Sequence, residues 1–599
     1  MIPRAILLIV TIACGFAQNP TETSACASCH PREARAYAST GMAKSFARVS
    51  LGPAATYFHE PSGIHYEMLQ RDGRYFQRQY TIGLDGKPHN VLETSIDYVL
   101  GSGNHARTYL HRTNTGALIQ LPLGWYSENG GTWAMNPGYN RADHQGLTRK
   151  ITYDCMFCHN GYPEVPKSAE GPRAEPLFTK IVEGIDCTRC HGSGEKHVQL
   201  AQQSGASVNE IRSAIVNPAK LAPGRQLEAC LQCHLETTSS PLPASIVRYD
   251  RGPFSYRPGE PLGDFMLHFD KTGGNDRFEI TSAAYRLMKS QCFLKSAGAL
   301  TCTTCHDPHG ERSAVAACKN CHAARLSSMA AHPKSDDCIS CHMTTRRTDD
   351  VPHASMTDHL IERRPSTHTR QPEVATYRGE VMLFYPKTLP KPEDELYLAV
   401  AQVVQQTNLQ SGAMRLQQAI AKFHPAEREF ELQLRDVLDP GAYHGPPGTA
   451  AAVVHSALDQ ARAGQVTDAI ATLKRAAVLD PDSPDAHSTL GAILLQSGNA
   501  AAAEPELRAA IRLHPNFAPA QNNLGSALDD LGRFDEAAFH FEIAIMLQEN
   551  YNGARLNYAM MLTRAHRDSD ARKQLQAIVD AAAAGPQTVV DEARRLLSR

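Results

Sequence analysis

Beyond residue 450 the small and apolar positions of the chain recur every 34 residues. Leu490-Gly491, Leu524-Gly525 and Tyr558-Ala559 hold one register, Ala503, Ala537 and Ala571 a second, and Leu507, Phe541 and Leu575 a third, with Pro481 and Pro515 closing successive units. Inside each unit the apolar spacing is that of amphipathic helices, so the period predicts stacked pairs of antiparallel helices. Small residues let the two helices of a pair approach, and larger ones fill the seam between them. A fainter copy covers about residues 450–483 through Ala469, Leu473 and Ala476, which sets the repeat region at 450–590. Residues 396–449 read as a degenerate helical pair ahead of it.

The front of the chain has another texture. Ile64-His65-Tyr66-Glu67-Met68 and Tyr75-Phe76-Gln77-Arg78-Gln79-Tyr80 read as strands, and Asp72-Gly73 between them is a two-residue hairpin signal that Asp85-Gly86 repeats. A small antiparallel β unit is therefore expected at about residues 50–150, with Trp125 and Trp133 inside it. Residues 361–395, carrying Pro365, Pro372, Pro386, Pro390 and Pro392, read as an extended linker. At the start, Arg4, the apolar run Ile6–Ala13 and the small residues Gly15 and Ala17 have the form of a secretory signal peptide over residues 1–17. Cys14 offers a second reading as a lipid-attachment cysteine, against which Thr11 stands three positions earlier. No stretch reaches the roughly 18 apolar residues of a membrane span, so no transmembrane segment is expected.

Composition sharpens the division between the halves. The 599 residues include 16 cysteines, all before position 342, and 20 of the 27 histidines precede residue 370. The formal net charge of −2 shows no basic excess, so a nucleic-acid partner is not expected. Cys-x-x-Cys-His occurs seven times: Cys26-Cys29-His30, Cys155-Cys158-His159, Cys187-Cys190-His191, Cys230-Cys233-His234, Cys302-Cys305-His306, Cys318-Cys321-His322 and Cys338-Cys341-His342. Chance would supply about 0.02 copies from this composition.

Haem attachment explains the spacing. Two thiols on one turn add across the two vinyl groups of a porphyrin, and the adjacent histidine is left beneath the ring with an imidazole nitrogen on the iron. Four-cysteine zinc sites and disulfides both leave the histidine unexplained. Seven covalently attached c-type haems are the expected cofactors, held by the fourteen motif cysteines and ligated on the proximal side by the seven motif histidines. Cys292 then remains as an unused thiol, read as a buried, inert residue. Each ferric haem with its two propionates adds about one negative charge, so the loaded protein is roughly seven units more acidic than its sequence.

A second axial ligand is needed on every iron that is not open for chemistry, and 13 further histidines lie before residue 370. His105, His197, His268, His309, His332, His353 and His359 are the candidate distal ligands; His59, His65, His89, His111 and His144 are weaker ones. Such a ligand often serves a haem other than its sequence neighbour, because different segments cover the two faces of a ring. Three motifs fit within residues 302–342, so three haems must lie near one another, as electron hopping requires. No Cys-x-x-Cys-Lys variant marks a catalytic haem.

With these residues in view, the stretches Ala25-Cys-Ala-Ser-Cys-His30, Ile185-Asp-Cys-Thr-Arg-Cys-His-Gly-Ser-Gly-Glu-Lys-His197 and Leu300-Thr-Cys-Thr-Thr-Cys-His-Asp-Pro-His309 resemble exported multihaem cytochromes of the cytochrome c-552/c-554 kind. The 34-residue period resembles tetratricopeptide repeats (TPR), and the whole chain resembles bacterial fusions of the two over roughly residues 20–360 and 395–590. The resemblance implies iron ligation by the motif histidines and distal ligation by His197 and His309. Tetrahaem members have fewer sites than the seven here, so their haem arrangement is not carried over.

The expected architecture is mainly α: a multihaem cytochrome c domain at residues 18–360 with the β insertion, the Pro-rich linker, and a C-terminal α-solenoid of TPR helix pairs. The expected function is electron transfer between redox partner proteins by an exported, periplasmic heptahaem cytochrome, with a protein or peptide docked in the TPR groove. Lipid-anchored or cell-surface placement is the alternative for location. For function the alternative is a multihaem oxidoreductase acting on a small nitrogen or sulfur oxyanion, or on hydroxylamine, at one open iron.

Overall fold

The computed structural model of the protein describes residues 22–598 apart from 50–54, 84–85, 170, 238–244, 274–275, 311–313, 329–331, 333–334, 336, 352, 364–378, 405–407 and 582–585. The expected signal peptide, Cys14, Asp85 of the second hairpin signal, and Pro365 and Pro372 lie outside the described residues.

The Asp72-Gly73 turn closes a hairpin in which both residues take positive φ, 51° and 73°. Strands Ile64–Arg71 and Arg74–Ile82 pair antiparallel from Arg71 opposite Arg74 outward. Ala55–His59 and Pro88–Ile96 complete a four-stranded meander. Phe46–Arg48, Tyr98–Leu100, Ala106–Arg112, Leu118–Tyr126 and Thr132–Met135 form a five-stranded antiparallel sheet. Ile64, Tyr66 and Met68 of the first sheet share one core with Tyr109, Leu121, Leu123 and Met135 of the second. Alternate side chains thus point inward, as a face-to-face sheet pair requires.

Residues 361–395 are only in part the extended linker expected. Val381–Tyr385 is a strand that pairs with Met266–Lys271, which in turn pairs with Ser245–Val247. Leu267 and Phe269 of that sheet pack with Val381 against helix Glu395–Val404 and with Leu416, Ala419 and Phe430 from the two helices that follow it. The apolar run Leu396-Tyr-Leu-Ala-Val-Ala401 is buried around its whole circumference, which the repeat reading of 396–449 did not anticipate. Arg248 and Asp394, 4% and 0% exposed, form a bidentate pair at 2.6 and 2.7 Å that ties the helix start to the sheet.

The C-terminal part is a TPR solenoid. Helices Ala450–Arg462 and Val466–Leu479, Pro484–Gln496 and Ala500–Leu513, Ala518–Asp530 and Phe534–Leu547, and Asn552–Arg564 and Asp568–Asp580 form successive pairs, followed by Gln587–Leu597. A Cβ on Gly491 would sit 2.5 Å from Leu507 Cγ, and one on Gly525 would sit 2.9 Å from the Phe541 ring. Glycine is therefore required because the large residue of the facing helix fills that space. The turn inside each pair needs a left-handed residue: Gly464, Gly498 and Gly532 supply it, and His566 occupies the fourth position at φ 56°.

The two halves touch. Leu147 N donates to Leu513 O at 3.2 Å and Gln79 Nε2 donates to Arg512 O at 3.2 Å. His514 Nε2 donates to His144 O at 3.0 Å, and the Gly146 position lies within 3.1 Å of His514 and Leu513 atoms for any added Cβ. Arg173 pairs with Glu429 at 2.8 Å and with Asp436 at 2.7 Å.

Candidate functional site

Each of the seven Cys-x-x-Cys-His motifs lies on a helix or a single helical turn: Glu22–Cys29, Tyr153–His159, Thr188–His191, Pro223–His234, Cys302–Cys305, Ala314–Ser327 and Cys338–His342. A helical turn brings side chains three apart to one face, which lets both thiols of a motif meet one ligand. His30 N, His191 N and His306 N each donate to the carbonyl of their motif's first cysteine, at 2.9, 3.0 and 2.9 Å. The histidine thereby sits one turn on from that thiol. No disulfide joins any of the fifteen described cysteines.

Four of the candidate distal histidines face a motif histidine. His30 and His197 have ring centroids 6.3 Å apart at 23°, and His191 and His309 6.0 Å apart at 22°. His306 and His359 are 6.1 Å apart at 31°, and His332 and His342 are 6.2 Å apart at 14°. Two imidazoles on one iron, at about 2.0 Å from metal to nitrogen and about 1.2 Å from nitrogen to ring centre, would have centroids about 6.4 Å apart. Ordinary aromatic packing also spans this range. It does not explain why each pair combines one motif histidine with one from outside the motifs, at nearly constant separation. The residues fit a haem iron with two histidine ligands.

Backbone carbonyls orient one ring of every pair. His197 Nδ1 donates to Ile211 O at 2.8 Å, His191 Nδ1 to Val216 O at 2.9 Å, His342 Nδ1 to Glu362 O at 2.7 Å and His359 Nδ1 to Thr357 O at 3.1 Å. A carbonyl only accepts, so each Nδ1 carries the proton and Nε2 keeps its lone pair, the arrangement that presents a histidine to a metal. Burial, the largest cause at each, lowers the pKa of His159, His191, His234 and His359 and favours the neutral ligating form.

Pairing skips along the sequence. The first motif faces a histidine that follows the third, the third faces one that follows the fifth, and the fifth faces one that follows the seventh. Thiol contacts join further motifs: Cys26 with Cys187, Cys158 with Cys233, and Cys230 with Cys302. Cys190 lies near Cys233, and Cys318 lies near Cys305, Cys338 and Cys292. The seven motifs thus form one connected cluster, and Cys292 sits beside the sixth.

Among the described residues, His105, His268 and His353 face no motif histidine in this way. His353 is engaged by Glu128 at 3.2 Å and by the Tyr126 ring. His268, buried in its strand with Nδ1 unpartnered, has its pKa lowered to about 3 by that burial. His105 accepts from Ser127 N through its backbone carbonyl. His159, His234 and His322 are the motif histidines outside the four pairs. The orienting carbonyls of Ile211, Val216, Glu362 and Thr357 carried no sequence signal. Among the described residues no cluster of three or more His, Cys, Asp or Glu side chains is arranged to hold a bare metal ion, and no helix is long and apolar enough to cross a membrane.

Tetratricopeptide repeat models match residues 460–528 and 518–551, which assigns the C-terminal part to that class of protein-interaction repeat. Solved structures similar to the chain include MamA, at 19% identity over 30% of this chain and 92% of that one, with a TM-score of 0.21. A MamA from Desulfovibrio magneticus RS-1 is 15% identical over 32% of this chain and 97% of that one, with a TM-score of 0.22. YrrB, a TPR protein with an unusual peptide-binding site, is 19% identical over 34% of this chain and 90% of that one, with a TM-score of 0.22. No curated protein matches the chain.

Proposed function

We propose that the chain is an exported heptahaem c-type cytochrome that transfers electrons between redox partners, with its TPR solenoid as a protein-docking module. The observation that carries the reading is the set of four histidine pairs at 6.0–6.3 Å, each joining a motif histidine to one outside the motifs. Haem iron, when bound, supplies one-electron chemistry. The protein's own residues do the rest. The paired thiols would anchor the haems, the facing imidazoles of the four pairs would ligate their irons, and the carbonyls of Ile211, Val216, Glu362 and Thr357 keep one imidazole of each pair aligned. Contact between thiols of different motifs supports short transfer distances through the cluster. The solenoid meets the β unit through Arg512, Leu513 and His514, so it is held against the haem-bearing half rather than tethered loosely. A peptide-binding role of the kind described for YrrB is the reading proposed for its groove.

Ferric EPR of the purified full-length protein tests this. His197→Ala, His309→Ala, His332→Ala and His359→Ala are each expected to convert one low-spin centre to high spin. Four variants with unchanged spectra would refute the ligand assignment. A high-spin, cyanide-binding centre in the unaltered protein would move the assignment to a multihaem oxidoreductase with an open iron.

A further inference from the structure

The Arg189 guanidinium lies where three attachment motifs meet. It belongs to the third, between Cys187 and Cys190, and is 1% exposed. Its central carbon stands 4.1 Å from the ring centre of Phe157, inside the second motif, and 4.7 Å from that of Tyr162, just after it. Nη2 donates to Phe157 O at 2.7 Å, while Nε and Nη1 have no hydrogen-bond partner. Gln232, inside the fourth motif, donates from Nε2 to the Arg189 carbonyl at 3.1 Å, and its Oε1 is also unpartnered. Among the described residues no carboxylate pairs with this buried guanidinium. The guanidinium lies close to the sulfurs of Cys158, Cys190 and Cys233, one in each of the second, third and fourth motifs. Aromatic faces hold the cation without cancelling it.

We propose that Arg189 is a potential-setting residue that raises the reduction potentials of the haems attached at Cys155-Cys158, Cys187-Cys190 and Cys230-Cys233. This rests on the haem reading above. Oxidised iron carries one more positive charge than reduced iron, so a fixed cation at the junction disfavours the oxidised form. The dry surroundings leave that field little screened. Electrons entering at either end of the cluster then collect at this junction.

The test is a potentiometric titration of the full-length haem-loaded protein, followed by visible absorption, with haem content fixed first by mass. Arg189→Gln is expected to lower at least two midpoints by about tenfold in the one-electron equilibrium, which is 59 mV. Arg189→Lys keeps the charge and is expected to hold the original midpoints. Gln232→Glu places a carboxylate inside the fourth motif, against the Arg189 backbone, and is expected to reproduce the downward shift, including where Arg189→Gln does not load all seven haems. Fully loaded Arg189→Gln or Gln232→Glu protein with unmoved midpoints overturns the proposal. Absence of covalent haem from the unaltered protein would instead sink the reading on which it rests.

Discussion

Arg286→Met is expected to cost about 3 kcal/mol, by removing one side of a buried ion pair that fixes His359. Arg286 and Asp358 are 1% and 2% exposed. Arg286 Nε and Nη2 reach the two carboxylate oxygens of Asp358 at 2.9 and 2.7 Å, and Nη1 reaches Asp276 at 2.7 Å. Asp358 is next in sequence to His359, which faces His306 at 6.1 Å. Deleting one partner of such a pair costs about 3–5 kcal/mol, because the other charge is left buried and unpaired. Arg346, 3.3 Å from Asp358, stays in place and sets the expectation at the low end. With an m-value of about 3 kcal/mol/M, that loss lowers the urea midpoint by about 1 M.

The assay is urea unfolding of the full-length protein followed at the Soret band, which under the proposed function reports on the half that carries the attachment motifs. Burial pushes the Asp358 pKa up, but the hydrogen bonds from Arg286 and Leu360 N and the fields of Arg286 and Arg346 outweigh it and hold the carboxyl below its ordinary value. Its folded pKa is depressed, so its contribution is present above the unfolded carboxylate pKa and is lost as pH falls through the folded one. In Arg286→Met burial prevails and lifts the folded pKa above the unfolded one, so the sign reverses and the Asp358 contribution should improve as pH falls through that raised value. Arg286→Met combined with Asp358→Asn should recover part of the loss. An unchanged midpoint in the single variant, or no recovery in the double, would refute the reasoning.

The remaining predictions concern the solenoid and its junction. His566→Gly should raise solenoid stability by about 0.5 kcal/mol, since the left-handed φ of 56° costs a side chain about 1–2 kcal/mol while glycine's unfolded-state freedom takes back about 0.5–1; a lower thermal midpoint would contradict it. A chain ending at residue 448 should stay soluble and load haem, whereas one ending at 394 should not, because it strips Leu396–Val403 from Leu267 and Phe269; equal yields would argue against the shared core. His144 is held at about 3 by burial first, then by His59 and His514. The unfolded chain takes up that proton near pH 6.5 and the folded chain does not, so stability should fall below pH 6.5 by up to about 1.4 kcal/mol per unit. His144→Gln should flatten the loss between pH 7 and pH 5, as read from urea midpoints; an unchanged slope would count against it.

The solenoid was legible because its determinants are local and repeated. Gly491 and Gly525 recur for the same reason, a large side chain on the facing helix. The Asp72-Gly73 hairpin was legible for an equally local reason, two left-handed residues between alternating runs. Val381–Tyr385 was read as linker because prolines surround it, while its strand character comes from pairing with Met266–Lys271, more than a hundred residues away. The motif histidines announced themselves by spacing, and His197, His309, His332 and His359 could be named as candidates. Their partners could not be read off, since the facing histidine comes from whichever segment folds over the opposite side. His353 shows the limit: nothing in the sequence distinguishes it from those four, but Glu128 holds it at 3.2 Å.

Intact-mass measurement of the protein exported with c-type haem maturation tests the central claim most directly. The account predicts a mature chain heavier by seven haems, with thioether-linked peptides at all seven motifs and one alkylatable thiol, Cys292. A chain of unmodified mass whose fourteen motif cysteines all alkylate would contradict it.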